Sequence, residues 1–246
     1  MSPLSLPNGR SLTSVSVVGR GRLGPVLARA LVRAGMTVHG PSGRGEPIAP
    51  ADVVLLCVPD REIPDAASAA AGHGAFLGHT SGATALDDVD FGLHPLQTFA
   101  GGPADLDGIG CAVGGRTAEA LDVARGLAGL LGMRAFEIAD GRRAAYHAAA
   151  TFASNFLVTL EAAAERLFAA AAPTADGRAL LVPLVRRTLE NWAAQGPEAA
   201  LTGPIARGDH ETVARQRAAV ESHAPELLPM FDVLADRTGA LAGRNE

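Results

Sequence analysis

Residues 15–24 read VSVVGRGRLG, a β-branched run that breaks into Gly19-x-Gly21-x-x-Gly24. The run suits a buried parallel strand, and each glycine then answers a separate need. Gly19 permits a tight turn, Gly21 lets a diphosphate approach the backbone, and Gly24 lets the next helix pack close to its strand. Leu23, Val26, Leu27, Ala30 and Leu31 follow at helical spacing. The start of that helix offers free N–H groups and a positive dipole end to an anion. A second strand is expected over 36–39 and a third over 52–58. In this context the motif predicts dinucleotide binding, with Gly19, Arg20, Gly21, Arg22, Leu23 and Gly24 around the phosphates. Val58 and Pro59, at the end of the third strand, complete that set.

The position after the second strand narrows the cofactor. A chain that binds NAD usually places Asp or Glu there, about twenty residues beyond the first glycine, to accept the ribose 2′-hydroxyl. Here the chain reads His39-Gly40-Pro41-Ser42-Gly43-Arg44. Ser42 and Arg44 suit a 2′-phosphate, which favours NADP(H) over NAD(H). The plain alternative is that Arg44 only solvates a Gly/Pro-rich loop.

Strand and helix signals continue to alternate: an Ala-rich helix to about Gly72, a strand over 75–78, another over 109–113, a helix over 117–131 and a strand over 134–138. Such alternation predicts an α/β fold with a doubly wound, mostly parallel sheet. Near Gly141 the character changes to helix periodicity alone, broken by Pro173, Pro197, Pro204 and Pro225. The expected division is therefore 1–140 for nucleotide binding and 141–246 for an all-α part. A net charge of −5 argues against nucleic acid or an anionic membrane as partner. No apolar run reaches transmembrane length and the first residues lack a signal-peptide core, so a cytoplasmic location is expected. Cys57 and Cys111 lie in apolar strand-like contexts and read as reduced core residues. No metal site is expected. All 21 basic residues are arginine, which removes Schiff-base chemistry and lysine general acids. The only tyrosine, Tyr146, is followed four residues later by Ala150, so no Tyr-x-x-x-Lys pair exists.

Three segments carry the remaining chemistry. His79-Thr80-Ser81-Gly82 and His94-Pro95-Leu96-Gln97 read as loops just past strand ends, where a nicotinamide would lie. Pro95 holds His94 extended. A helix over 143–171, apolar almost all round and therefore expected to be buried, places His147, Thr151, Ser154 and Asn155 within an arc of roughly 100°. That stripe faces a ligand or glues a subunit interface. In ALTGPIARGD, Arg207 stands among small residues and suits a substrate carboxylate, while Asp209 reads as a helix N-cap.

GLHPLQTF, YHAAATFASNFLVTL and ALTGPIARGD resemble a family of short oxidoreductases that pair a Rossmann-like domain with a helical C-terminal domain of unknown function. The resemblance covers nearly the whole chain. It implies a branch of the superfamily of ketopantoate reductases, pyrroline-5-carboxylate reductases and prephenate dehydrogenases. His94-Pro95 stands where prephenate dehydrogenases carry His-Pro. Asn155 matches a helix asparagine that ketopantoate reductases pair with a lysine four residues earlier, here Thr151. The expected function is NADPH-dependent reduction of a small 2-keto acid, with ketopantoate as best guess. His147 or His94 would give the proton and Asn155 polarise the oxygen. Ser81, Gln97, Thr151, Ser154 and Arg207 would bind substrate. The rivals are an imine reductase, a prephenate-like dehydrogenase, and a regulatory protein that binds NADP(H) without turnover. Apolar residues such as Leu180, Leu181, Leu184 and Val185 are expected to form a homodimer seam or to pack within the monomer.

Overall fold

In the computed structural model, which describes residues 4–102 and 104–243, the β-branched runs become the centre of a seven-stranded sheet. A small antiparallel hairpin, β1 (Leu4–Ser5) and β2 (Ser11–Leu12), precedes it. The sheet holds β3 (Ser14–Val18), β4 (Thr37–Ser42), β5 (Ala51–Leu56), β6 (Gly74–His79), β7 (Phe91–Pro95), β8 (Gly110–Gly115) and β9 (Arg134–Glu137), in the order β4-β3-β5-β6-β7-β8-β9. Every neighbouring pair is parallel except β7 and β8. The expected mostly parallel, Rossmann-like sheet is present.

Burial explains why these runs are strands. Val15, Val17, Val53 and Leu55 face one side of the sheet, where α1 (Gly24–Arg33) packs through Leu27 and Leu31 and α3 (Ala118–Leu130) through Val123 and Leu127. Val18, Val54 and Leu56 face the other side, against Ile63, Ala67 and Ala70 of α2 (Ile63–Ala70). A parallel sheet covered on both faces needs continuous apolar runs rather than alternation. Both cysteines are free and buried.

Chain direction across the sheet reverses at β3, with β4 on one side and β5 on the other. At such a switch point the loops leaving the two central strands diverge and leave a crevice at their carboxyl ends. One expectation fails nearby. The segment around His94 is not a loop but part of β7, whose antiparallel register with β8 pairs His94 with Ala112. Cross-strand hydrogen bonds from a distant partner outweigh the weak local strand signal of a segment containing glycine and proline.

The chain divides into two compact units, one reaching to Ser154 and the next beginning at Asn155. The division falls within a π-helical turn, Phe152–Phe156, between α4 (Arg143–Thr151) and α5 (Leu157–Ala171). The second unit continues with α6 (Gly177–Gln195), α7 (Pro197–Ala200), α8 (Pro204–Arg207), α9 (His210–His223) and α10 (Leu228–Leu241). Asp209 does cap α9, accepting from the Thr212 N–H at 3.0 Å. Among the described residues, Val220 and Ala224 are this unit's only buried apolar residues. The expectation that the 143–171 helix is buried is thus overturned: Phe152 is 70% and Val158 69% exposed. Among the described residues, no helix is long and apolar enough to cross a membrane.

Candidate active site

The glycine loop has the geometry its sequence predicts. Gly19 adopts φ of +117°, and a Cβ there would collide with the Cys57 carbonyl. A Cβ on Gly24 would collide with the Gly19 carbonyl, so the helix can approach its strand only without a side chain. Around Gly21 there is open space. Leu23 sits at the N-cap of α1, where no side chain caps the first-turn N–H groups, and Pro25 follows. A loop with two filled glycine positions, one open one and an uncapped helix behind it fits a dinucleotide diphosphate.

That loop forms one wall of a cleft of about 790 Å³, whose other walls include Ser42, Arg44, Val58 and Pro59. Of the expected cofactor-contacting residues, Gly19, Arg20, Gly21, Ser42, Arg44, Val58 and Pro59 line this cavity, and Arg22, Leu23 and Gly24 are not among its lining residues. Both arginines facing it already have partners: Arg20 pairs with Glu46 and Arg44 with Glu62. The Gly43 N–H donates to Glu46 at 3.0 Å, and with Arg20 this holds its carboxyl below the usual range. Sequence reading did not single out Glu46. Its signal was a lone acid in a Gly/Pro loop four residues past the strand end.

A second group of residues lies farther along the same carboxyl edge. From β3 to β7 are three strand intervals, ~14 Å at the usual ~4.8 Å spacing. There His94 Nδ1 lies 2.6 Å from the Tyr146 hydroxyl. The imidazole rests on Gly82: a Cβ at that position would stand 3.0 Å from three of its ring atoms. His147 completes the group, with its ring 6.2 Å from His94 and nearly perpendicular. Burial, reinforced by the nearby His147, pushes His94 down to about 4, so the ring is neutral at physiological pH. Burial pushes the Tyr146 phenol up to about 12.

Arg143, one helical turn before Tyr146 and His147, fixes α4 on the sheet. It is buried, donates from Nε to Asp140 at 2.7 Å, and lies over Gly92 and Gly114, where any Cβ would meet its guanidinium. Its Nη2 and His79 Nδ1 are buried without a hydrogen-bond partner among the described residues. Arg143 and Tyr146 were absent from the sequence-derived candidates; glycines inside β7 and β8, where no turn needs them, were the visible trace of Arg143.

Other candidates are occupied structurally. His79 is fully buried, and its Nε2 lies 3.1 Å from the Ala85 carbonyl. The Ser81 hydroxyl donates to Thr84 Oγ1 and accepts from the N–H groups of Ala83 and Thr84, so it closes a turn rather than pointing to a ligand. Gln97 is exposed and its side-chain oxygen accepts from the Thr98 N–H. Thr151 and Ser154 donate to the carbonyls of His147 and Ala150, as helix hydroxyls commonly do. The expected 100° arc assumed 3.6 residues per turn throughout. The π-helical turn between Thr151 and Asn155 breaks that period. Asn155 and Arg207 belong to the second unit, Arg207 at the end of α8 and exposed. No cluster of three or more His, Cys, Asp or Glu among the described residues is arranged to hold a metal ion.

The switch-point crevice and its glycine cradle define a Rossmann-like α/β protein with a helical C-terminal part. More particularly, the chain belongs to the family described as domain of unknown function (DUF2520), which matches residues 109–238, just over half of its length. No curated protein matches it in sequence. Among solved structures it is similar to a candidate NADP oxidoreductase of Bacteroides fragilis (TM-score 0.79, 20% identity, 93% of this chain and 98% of that one). A protein of Thermotoga maritima is similar too (0.75, 22% identity, 93% and 98%). So is the reductive aminase of Aspergillus terreus, solved with NADPH and ethyl 5-oxohexanoate (0.64, 14% identity, 94% and 98%). At these identities the likeness is one of fold.

Proposed function

We propose that the chain is an NADPH-dependent reductase of a small 2-keto acid, in the superfamily of ketopantoate and pyrroline-5-carboxylate reductases, with ketopantoate as the first substrate to test. The observation that carries this reading is the glycine loop: filled at Gly19 and Gly24, open at Gly21, and backed by a helix with no side-chain cap. In this reading residues 19–24 hold the diphosphate, Ser42 and Arg44 take the 2′-phosphate, and Val58 and Pro59 flank the ribose. When bound, the cofactor supplies the hydride. A 2′-phosphate would compete with Glu62 for Arg44 and with Glu46 for Arg20, which gives the protein a way to prefer NADPH only when both pairs reopen. Arg207 and Asn155 enter as ligands of the substrate's carboxylate and carbonyl on the strength of the sequence. The exposed Leu180, Leu184 and Trp192 of α6 support a homodimer.

Calorimetry with NADPH and NADH, followed by turnover of 2-keto acids, tests the reading. Binding of NADPH with Arg44→Ala losing affinity for NADPH more than for NADH is the expected result. No response to either nucleotide overturns it. The likeness to the reductive aminase favours a second reading, reduction of a C=N bond, so cyclic imines belong in the same substrate panel.

A further inference from the structure

Extending the reductase reading above, we propose that the Tyr146 hydroxyl hands the proton to the oxygen or nitrogen of the bond being reduced, and that His94 resupplies it. Reduction of a carbonyl or imine needs a proton donor, and this chain has no lysine. The Thr151, Ser154 and Ser81 hydroxyls are spent on their own backbone or turn. His94 is neutral near pH 7, so it offers the substrate no imidazolium acid.

Tyr146 is different in three respects. It is partly rather than fully buried. Among the described residues its oxygen has one hydrogen-bond partner, His94 Nδ1 at 2.6 Å. A phenol oxygen both donates and accepts. With the His94 proton on Nδ1, the imidazole donates to the phenol oxygen and the O–H is left for a ligand. Gly82 beneath the ring and Arg143 beneath the helix keep the two groups in register. The pair also stands on the sheet edge that carries the glycine loop.

The substrate carbon accepts a hydride from a dihydronicotinamide, which leaves oxidised. The carbonyl π pair moves onto oxygen, and that oxygen takes the Tyr146 proton. The phenolate then takes the Nδ1 proton of His94 while Nε2 takes one from solvent, and proton exchange with solvent returns the ring from the Nε2–H to the Nδ1–H tautomer. His94, acting through Tyr146, is a positioning and relay residue.

Tyr146→Phe keeps the ring and removes the hydroxyl. Expected is a fall in kcat of about 10²-fold or more, the range for a lost general acid, with KM and NADPH affinity changed less than about threefold and circular dichroism unchanged. His94→Asn is expected to shift the pH dependence of kcat. Independent of turnover, Tyr146→Phe is expected to move the His94 Nδ1 resonance of the nitrogen-15-labelled, nucleotide-free chain. Retention of kcat within threefold by Tyr146→Phe, or an unmoved His94 resonance, overturns the proposal while leaving the reductase reading standing. Failure of the unmodified chain to bind NADPH, or to turn over any keto acid or imine, overturns the reductase reading and this inference with it.

Discussion

The two units of this chain solve the burial problem differently. In the first, Val15, Val17, Leu27, Leu55 and Leu93 are sealed between the sheet and its helices, and the core runs without a break from β3 to β8. In the second, six helices leave Leu180, Leu184, Trp192 and Val233 more than half exposed, and Val220 and Ala224 are all that is buried among the described apolar residues. A covered parallel sheet finds its core within the chain. An assembly of amphipathic helices does so only if their apolar stripes meet, and here many do not. The contrast teaches where stability comes from: the first unit holds itself together, and the second depends more on caps, ion pairs and whatever covers its stripes. Arg217–Asp232 and Arg178–Glu165 are such bidentate pairs, each worth little where solvent screens it.

The sharpest test of that contrast is a pair of truncations. Leu27→Ala is expected to cost about 2–5 kcal/mol, as for a leucine deleted from a tight core. Leu184→Ala, at 63% exposure, should stay within about 0.5 kcal/mol in dilute chain; equal losses in urea melts would break the comparison. Concentration-dependent melting that Leu184→Asp abolishes would sharpen it by assigning the stripe to a second copy. Gly19→Ala is expected to cost about 1–3 kcal/mol through its positive φ alone, and calorimetry should show nucleotide affinity lost as well. Asp209→Ala removes the α9 cap and should cost about 1 kcal/mol, a loss confined to the helical unit in hydrogen exchange. The gentlest perturbation is pH. His94 titrates at about 4 in the fold against an ordinary 6.5, so the unfolded chain binds its proton first. The stability this contributes is complete above pH 6.5 and drains away as pH falls toward 4. His94→Gln should flatten that slope in denaturant melts across the window, and an unchanged slope would remove burial of a neutral His94 as its cause.

The same contrast governs how much could be read from sequence. Gly19, Gly21 and Gly24 were legible because their roles are set by local backbone geometry. The runs at β3, β5 and β8 were legible because a covered sheet writes itself as continuous apolar residues. The strand at Phe91–Pro95 was not, since its hydrogen bonds come from β8 some twenty residues on. Nor was the π-helical turn at 152–156, which a period of 3.6 residues does not describe. Tyr146 was noticed only as a missing motif. Nothing in its neighbours announces that a histidine 52 residues earlier lies within hydrogen-bond reach.

The first helix starts with no side chain of its own to close it. A nucleotide seated there would supply the anionic lid that Ser, Thr or Asp supplies elsewhere, becoming a structural part as much as a reagent. Saturating it at a hundred times its dissociation constant would add about 2.7 kcal/mol to the loaded fold. The melting temperature of this chain would then read out how much coenzyme surrounds it.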